Sequence, residues 1–544
     1  METMRSAHSF SGGVSPDRVF RPLCKLLAVT CFWSFGVRLA QAQTYSGMLT
    51  WHNDLARTGQ NLDETVLTPT NVNAKTFGKV FSFPVDGQIF GQPLYVYNVA
   101  IAGKGTYNVI YVTTENDSVY AFDADGVNTM ALWHDSFINP SKGITPIPCK
   151  DTGAKVCPFA SIIGITGTPV IDPSSGTLYL VAATKENGKY VNRLHALDIT
   201  SGAEKFGGPV QIKASVKGTG AGNNHGVVSF NAQHESQRPG LLLLNGVLYI
   251  GWASFGDIAP FHGWVLGYGA TSLAQTAVFN STPNGSDGGV WQSGAAPSVD
   301  AAGNIYLITG NGTFDINKGG SDWGDTFLKF NASLSVMDYF TPFDQLKLSK
   351  DDLDLGSGSG MLVPTQKGKF PDEIITAGKE GLIYVVNRSN MGKFDAQKNR
   401  VIETVRGSAT GYWGSAAYWS NTVYYSGTED FLGQYALSNG LLSKSPVYQA
   451  PTKFVRGSTP CVSANEAANG IVWAIERIPN NQGIPPEVLH AYDATKVSQE
   501  LYNTNQSGTR DVLGPGIIFS IPTVMNGKVY VGTGSELDVL GLLP

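Results

Sequence analysis

Asn108-Val109-Ile110-Tyr111-Val112 followed by Val119-Tyr120-Ala121-Phe122-Asp123 is the phrase on which the fold turns. Both runs are rich in β-branched and aromatic residues, and a short polar gap separates them, so they read as two neighbouring strands of one small sheet. The same pair recurs along the chain. The second-strand phrases are Gly176-Thr177-Leu178-Tyr179-Leu180, Gly246-Val247-Leu248-Tyr249-Ile250, Gly303-Asn304-Ile305-Tyr306-Leu307, Asp372 to Thr376, Asn421-Thr422-Val423-Tyr424-Tyr425, Gly470-Ile471-Val472-Trp473-Ala474 and Gly527-Lys528-Val529-Tyr530-Val531. Third-strand phrases keep step, from Leu194-His195-Ala196-Leu197-Asp198 to Leu489-His490-Ala491-Tyr492-Asp493 and Leu537-Asp538-Val539-Leu540.

Eight such units are present. A four-stranded unit cannot bury both faces of its own sheet, so radial stacking is the economical arrangement, and the sequence predicts an all-β, eight-bladed β-propeller. The last unit stops short of a fourth strand. Lys79-Val80-Phe81-Ser82-Phe83 is expected to supply it and close the ring, which otherwise leaves a bare edge between first and last blades. The composition agrees. With 64 Gly, 28 Pro and 15% charged residues in 544, the chain is made for strands and turns rather than long charged helices.

A formal charge of −5 without a basic stripe excludes a nucleic-acid footprint. Arg18, Arg21 and Lys25 precede the apolar run Leu26 to Val37, and Ala40-Gln41-Ala42 ends it with small residues, so residues 1–42 read as a signal peptide and the protein as periplasmic or secreted. The run is too short to span a bilayer comfortably, and no membrane span is expected after cleavage. Cleavage removes five bases and two acids, leaving 33 against 41 and a net charge of −8. Residues 43–74 then form an N-terminal extension and 75–544 the propeller. Of the remaining cysteines, export permits a bond between Cys149 and Cys157 and leaves Cys461 as a buried thiol.

Val119 to Asp125 with Leu132-Trp133, and Leu194 to Gly202, resemble the repeat of pyrroloquinoline quinone (PQQ) propellers, the quinoprotein alcohol dehydrogenase-like superfamily, from about residue 75 onward. That resemblance implies a site. Thr309-Gly310-Asn311 is similar to a strand end whose asparagine is a calcium ligand, and Lys350-Asp351-Asp352-Leu353-Asp354 to a phrase whose last aspartate is both metal ligand and general base. Gly378-Lys379-Glu380-Gly381 with Asn387-Arg388 resembles the run that contacts the quinone through Lys379 and Arg388. Gly288-Gly289-Val290-Trp291 looks like the motif that sets a tryptophan under the flat cofactor. Asp257 and His262, in Phe255-Gly256-Asp257 and His262-Gly263-Trp264, fall where the acidic calcium ligand and a cofactor contact are expected, with Glu186 as the equivalent one blade earlier.

The chain also departs from that pattern. There is no vicinal Cys-Cys, Phe90 stands where a cofactor-binding glutamate is expected, and Lys350 and Leu353 replace a histidine and a tryptophan. Two functions are therefore carried forward. One is a PQQ- and calcium-dependent oxidoreductase acting on a small alcohol or sugar, with Asp354 as base and a separate electron acceptor. The other is a non-catalytic extracytoplasmic binding or assembly propeller with a protein or glycan ligand. Trp51-His52-Asn53-Asp54 and Arg57 to Asn61 are dense in polar groups and are read as a packed extension. His195 and His490 share one repeat position and are read as framework.

Overall fold

Every second-strand phrase becomes a strand in the computed structural model, which describes residues 44–154, 161–477 and 485–544. The proposed signal peptide, residues 1–42, and Cys157 lie outside the described residues. Blade 1 comprises Leu94–Ile101, Gly105–Thr113, Ser118–Asp123 and Trp133–Ser136; blade 2, Val170–Asp172, Thr177–Glu186, Lys189–Asp198 and Val210–Gln211. Blade 3 comprises Leu242–Leu244, Val247–Ser254, Trp264–Gly269 and Gln275–Asn280; blade 4, Ser298–Val299, Ile305–Ile308, Phe327–Phe330 and Val336–Phe340. Blade 5 comprises Met361–Leu362, Glu373–Ala377, Leu382–Asn387 and Glu403–Arg406; blade 6, Ala417–Trp419, Thr422–Ser426, Asp430–Ser438 and Tyr448–Phe454. Blade 7 comprises Cys461–Asn465, Ala468–Glu476, Val488–Asp493 and Glu500–Asn503.

Blade 8 takes only Thr523–Met525, Lys528–Gly532 and Glu536–Leu542 from the C-terminal end. Its fourth strand is Phe77–Pro84, antiparallel to Glu536–Leu542 from Phe77 opposite Leu542 to Pro84 opposite Glu536. The ring is closed as the sequence predicts.

The recurring tyrosine has a physical reason. Its apolar ring is buried between blades, and its hydroxyl donates to a backbone carbonyl just past the third strand of the next blade. Tyr111 reaches Ile199 at 2.8 Å, Tyr179 Ala270 at 3.1 Å, Tyr249 Ala332 at 2.7 Å, Tyr424 Ala494 at 2.6 Å and Tyr530 Ala124 at 2.9 Å. The last of these crosses the closure between blades 8 and 1. A buried phenol needs an acceptor, and one tyrosine supplies both apolar area and a directional tie.

The N-terminal segment does more than pack against the ring. Met48 pairs with Tyr95 of blade 1, and the carbonyls of Leu49, Leu55, Ala56, Thr58 and Gly59 accept from Ile171, Val299, Leu362, Tyr418 and Val462, the first strands of blades 2, 4, 5, 6 and 7, at 2.8 to 2.9 Å. Asn61 donates to the Val524 carbonyl of blade 8 at 2.9 Å. The segment thus threads the axial channel and ties seven of the eight blades from inside.

At its centre Arg57 is fully buried. Its Nε donates to the Pro297 carbonyl at 2.9 Å, and Nη1 to Thr50 Oγ1 and the carbonyls of Trp51 and Asp54 at 2.8 to 3.0 Å. Among the described residues no helix is long and apolar enough to cross a membrane.

Candidate functional site

Within an antiparallel blade, the connection from second to third strand and the connection into the first strand emerge at the same end. Those two sets of loops from several blades enclose one cavity of about 610 Å³ on that face. The threaded segment meets the first strands near their starts and so lies beneath the cavity.

The structure brings five of the expected residues to this cavity: Asp257, Trp291, Asn311, Asp354 and Lys379. Three predicted residues are placed elsewhere. Glu186 is held by Arg193, whose Nε and Nη2 donate to its two oxygens at 2.6 and 2.7 Å. His262 is buried, with ring nitrogens 2.8 Å from Thr282 Oγ1 and from the Ala221 carbonyl. Arg388 follows the third strand of blade 5, whereas Lys379 precedes it, so the strand Leu382–Asn387 carries them to opposite faces of the ring. There Arg388 faces Asp372 at 3.4 Å and Asp300 at 3.9 Å.

Asp354 is the most constrained group of the site. Oδ1 accepts the Asn311 backbone N–H at 2.6 Å, and Oδ2 lies 2.7 Å from Lys379 Nζ. Lys379 also reaches Asp352 Oδ1 at 2.6 Å and lies over the rings of Trp291 and Trp413, 5.6 and 5.3 Å from their centroids. Gly310 makes this approach possible, because a Cβ there would stand 2.5 Å from Asp354 Oδ1. Burial pushes the Asp354 pKa above the ordinary aspartate value, with Lys379 and the Asn311 N–H pulling against it. Burial works against the Lys379 ammonium too, but Asp354 and Asp352 outweigh it and hold its pKa above the ordinary lysine value.

Behind this pair lies Asp325, fully buried, which accepts the Leu355 N–H at 3.1 Å. Burial, then the charge of Asp354, drive its pKa well above the ordinary range.

Asn311 Nδ2 donates to Asp352 at 2.9 Å, while its Oδ1 is buried without a hydrogen-bond partner. An unpaired buried carbonyl oxygen costs stability unless something fills its lone pairs. Beside an aspartate, the donor set of hard oxygens suits a cation such as calcium. Among the described residues no three His, Cys, Asp or Glu side chains gather as a metal cluster. The cavity is lined, among the described residues, by five carboxylates, Glu115, Asp257, Asp287, Asp352 and Asp354, and by two cations, Arg238 and Lys379.

Sequence reasoning missed Glu115, Arg238, Trp413 and Phe519, which line the same cavity. Trp413 and Phe519 lie 22° from parallel with centroids 6.4 Å apart, and Trp291 stands edge-on to both. Asp257, Asp287, Asp352 and Phe519 have φ between 56° and 65°, left-handed values that non-glycine side chains rarely adopt. Such strain gathers where surrounding structure fixes a working geometry. The missed residues stand in the loops just before first strands or between second and third strands, so their position in the repeat is the signal that could have found them.

Cys149 also borders the cavity and is disulfide-bonded, while Cys461 is a buried free thiol whose pKa burial raises.

No family model and no curated protein matches this chain. Solved structures do. The quinohemoprotein alcohol dehydrogenase from Comamonas testosteroni is 14% identical with a TM-score of 0.59, covering 91% of this chain and 80% of that one. A europium-containing methanol dehydrogenase is 15% identical with a TM-score of 0.59, covering 91% and 98%. BamB from Moraxella catarrhalis is 12% identical with a TM-score of 0.47, covering 86% and 97%. The chain has the fold of the PQQ-dependent alcohol dehydrogenases, at an identity that speaks for fold alone.

Proposed function

We propose that this protein is an exported, quinone-dependent oxidoreductase of alcohols or sugars that passes electrons to a separate acceptor. The observation that carries the reading is the partnerless Asn311 Oδ1 beside the buried Asp354–Lys379 pair, inside an aromatic-walled cavity. The residues fit PQQ and calcium: Trp291 offers a flat apolar face, Lys379 a hydrogen-bond donor, and Asn311 with Asp354 the oxygens for the cation. When bound, the quinone supplies the two-electron acceptor and calcium polarises an oxygen.

Asp354 is the base of this scheme. Burial makes it hold a proton more tightly than an exposed aspartate, which suits it to take the hydroxyl proton of an alcohol, while Lys379 and the Asn311 N–H favour its anion. Trp291, Trp413 and Phe519 exclude water from the reacting hydroxyl.

The test is reconstitution. Purified protein titrated with PQQ and Ca²⁺ is expected to show quenching of tryptophan fluorescence, a quinone absorbance band retained after gel filtration, and dye-linked oxidation of simple alcohols or aldoses. Retention of the quinone without oxidation of any alcohol or sugar, or failure of both, overturns the oxidoreductase; failure of both leaves the binding propeller as the reading.

A further inference from the structure

The junction between blades 5 and 6 lacks the tyrosine tie and carries a carboxylate instead. In blade 5 Ile375 lies opposite Val385, as Tyr111 lies opposite Ala121 in blade 1, so the position of the tying hydroxyl is apolar. Ile375 and Val385 share a core with Tyr418, Tyr425 and Leu437, which marks their face of the sheet as the one turned toward blade 6. Glu373 stands two residues before Ile375 on the same strand and therefore on the same face.

Glu373 is fully buried, and neither of its carboxylate oxygens has a hydrogen-bond partner among the described residues. Oε1 faces Gly440, in the turn after the third strand of blade 6. A Cβ on Gly440 would overlap that oxygen and stand 3.1 Å from the Phe370 carbonyl oxygen. Gly440 also has a φ of 78°, so both its backbone and its surroundings call for glycine. Two oxygens thus converge on the space that the missing side chain leaves.

Glu403 brings a second carboxylate. It pairs with Val385 across the sheet, which puts its side chain on the face of Glu373. Its Oε1 accepts the Leu442 N–H at 2.6 Å, and its Oε2 meets Lys444, whose side chain is 74% exposed. Burial, then the charge of Glu403, push the Glu373 pKa up to about 7, and Arg388 opposes them. The ion pairs of Arg388 go to Asp372 and Asp300, not to Glu373. A buried carboxylate without donors is strongly disfavoured unless a cation joins it.

We infer that Glu373, with Glu403 and the Phe370 carbonyl, forms a structural calcium site seated under Gly440 that stabilises the junction of blades 5 and 6. The donors are hard oxygens in an irregular set, which suits calcium; magnesium demands a near-octahedral shell, and zinc or copper favours nitrogen and sulfur. Glu373 begins its strand, whereas Lys379 follows the end of that strand into the cavity, so the site is separate from Asp354 and independent of the quinone reading.

The experiment is a calorimetric titration of the full-length protein with CaCl₂, in an Asp354→Asn background that weakens any axial cation. Adding Glu373→Gln is expected to remove one bound Ca²⁺ per chain, or to weaken it by roughly 30-fold or more, and to abolish the rise in thermal unfolding midpoint that calcium produces. Lys444→Met removes the cation that competes for Glu403 and is expected to tighten calcium by roughly 3-fold, a gain that a misfolded protein does not give.

Isotherms that are the same with and without Glu373→Gln overturn the site. So does a background protein that takes up no calcium at about 10 mM, well above the range of weak extracellular sites. Both results would leave Glu373 as a buried neutral acid. Should Glu373→Gln not fold, unchanged calcium affinity in Lys444→Met overturns the site by itself.

Discussion

Two polar clusters lie on the axis of this ring, one above the other, and they are built to opposite rules. The lower, around Arg57 and His52, is closed. Four hydrogen bonds leave Nε and Nη1 of Arg57 for three backbone carbonyls and a threonine hydroxyl, and both ring nitrogens of His52 lie 2.9 Å from carbonyls. Only Nη2 of Arg57 lacks a partner. The upper cluster, around Asp354, is open: a surplus of carboxylates, a partnerless amide oxygen, and left-handed backbone at its rim. Polar groups that satisfy one another hold the fold together, whereas polar groups left wanting are arranged for something that arrives from outside.

That contrast breaks most readily at Arg57. Arg57→Met keeps the apolar stem but strands several buried acceptors, and is expected to cost about 4 kcal/mol. The check is the thermal unfolding midpoint, which should drop by several degrees, while ligand quenching in the folded protein is retained. An unchanged midpoint would mean that the lower cluster is not structural.

On the upper cluster, Asp354→Asn should reduce quinone-dependent turnover by roughly 10²-fold or more without lowering the melting temperature, because it removes a charge whose burial is itself costly. A variant as active as wild type removes Asp354 from the chemistry.

Lys379→Met sharpens the same point through pH. In the proposed scheme turnover needs the Asp354 anion, so it is expected to rise as pH climbs through the Asp354 pKa, which burial already holds above the ordinary value. Without the ammonium 2.7 Å away, that limb of the profile should move to higher pH; a limb that stays in place assigns it to another group.

The smallest effect belongs to a closed cluster away from the axis. His490 lies 2.7 Å from Glu500 and 3.2 Å from Glu476; burial opposes its charge, but the two carboxylates prevail and its pKa is raised above 6.5. The stabilisation is therefore complete below about pH 6.5 and fades as pH rises through the raised value. His490→Gln should lose about 1–2 kcal/mol at pH 6 and less at pH 9, as read by denaturant unfolding. Equal losses at both values would show the imidazole to be neutral.

The blades were legible because each second and third strand announces itself locally, by alternating apolar residues around a tyrosine. The closing strand Phe77–Pro84 was legible for a related reason, since a ring of such units leaves one edge to be paired. The axial thread was not. Trp51 to Asn61 has no periodicity, and its partners, such as Pro297 and Pro460, are distant in sequence, so its density of polar groups could be seen but not its task.

The site divides along the same line. Asn311, Asp354 and Lys379 could be named from phrases with neighbours of recognisable type, whereas Arg238 and Glu115 stand singly in loops whose convergence exists only once the ring is shut. Arg388 shows the converse error. It belongs to the same phrase as Lys379, yet one intervening strand puts it on the far face.

The channel thread has a consequence for how the molecule comes into being. A ribosome delivers Thr58, Gly59 and Asn61 early, but their partners in blades 6, 7 and 8 are the last to be made, and Phe77 must wait for Leu542. The opening segment thus stays unhoused until nearly the whole polypeptide exists. Acquisition of the native state is then a late, cooperative event governed by very distant pairings, and a chain cut short near its end forfeits the anchorage of its beginning as well.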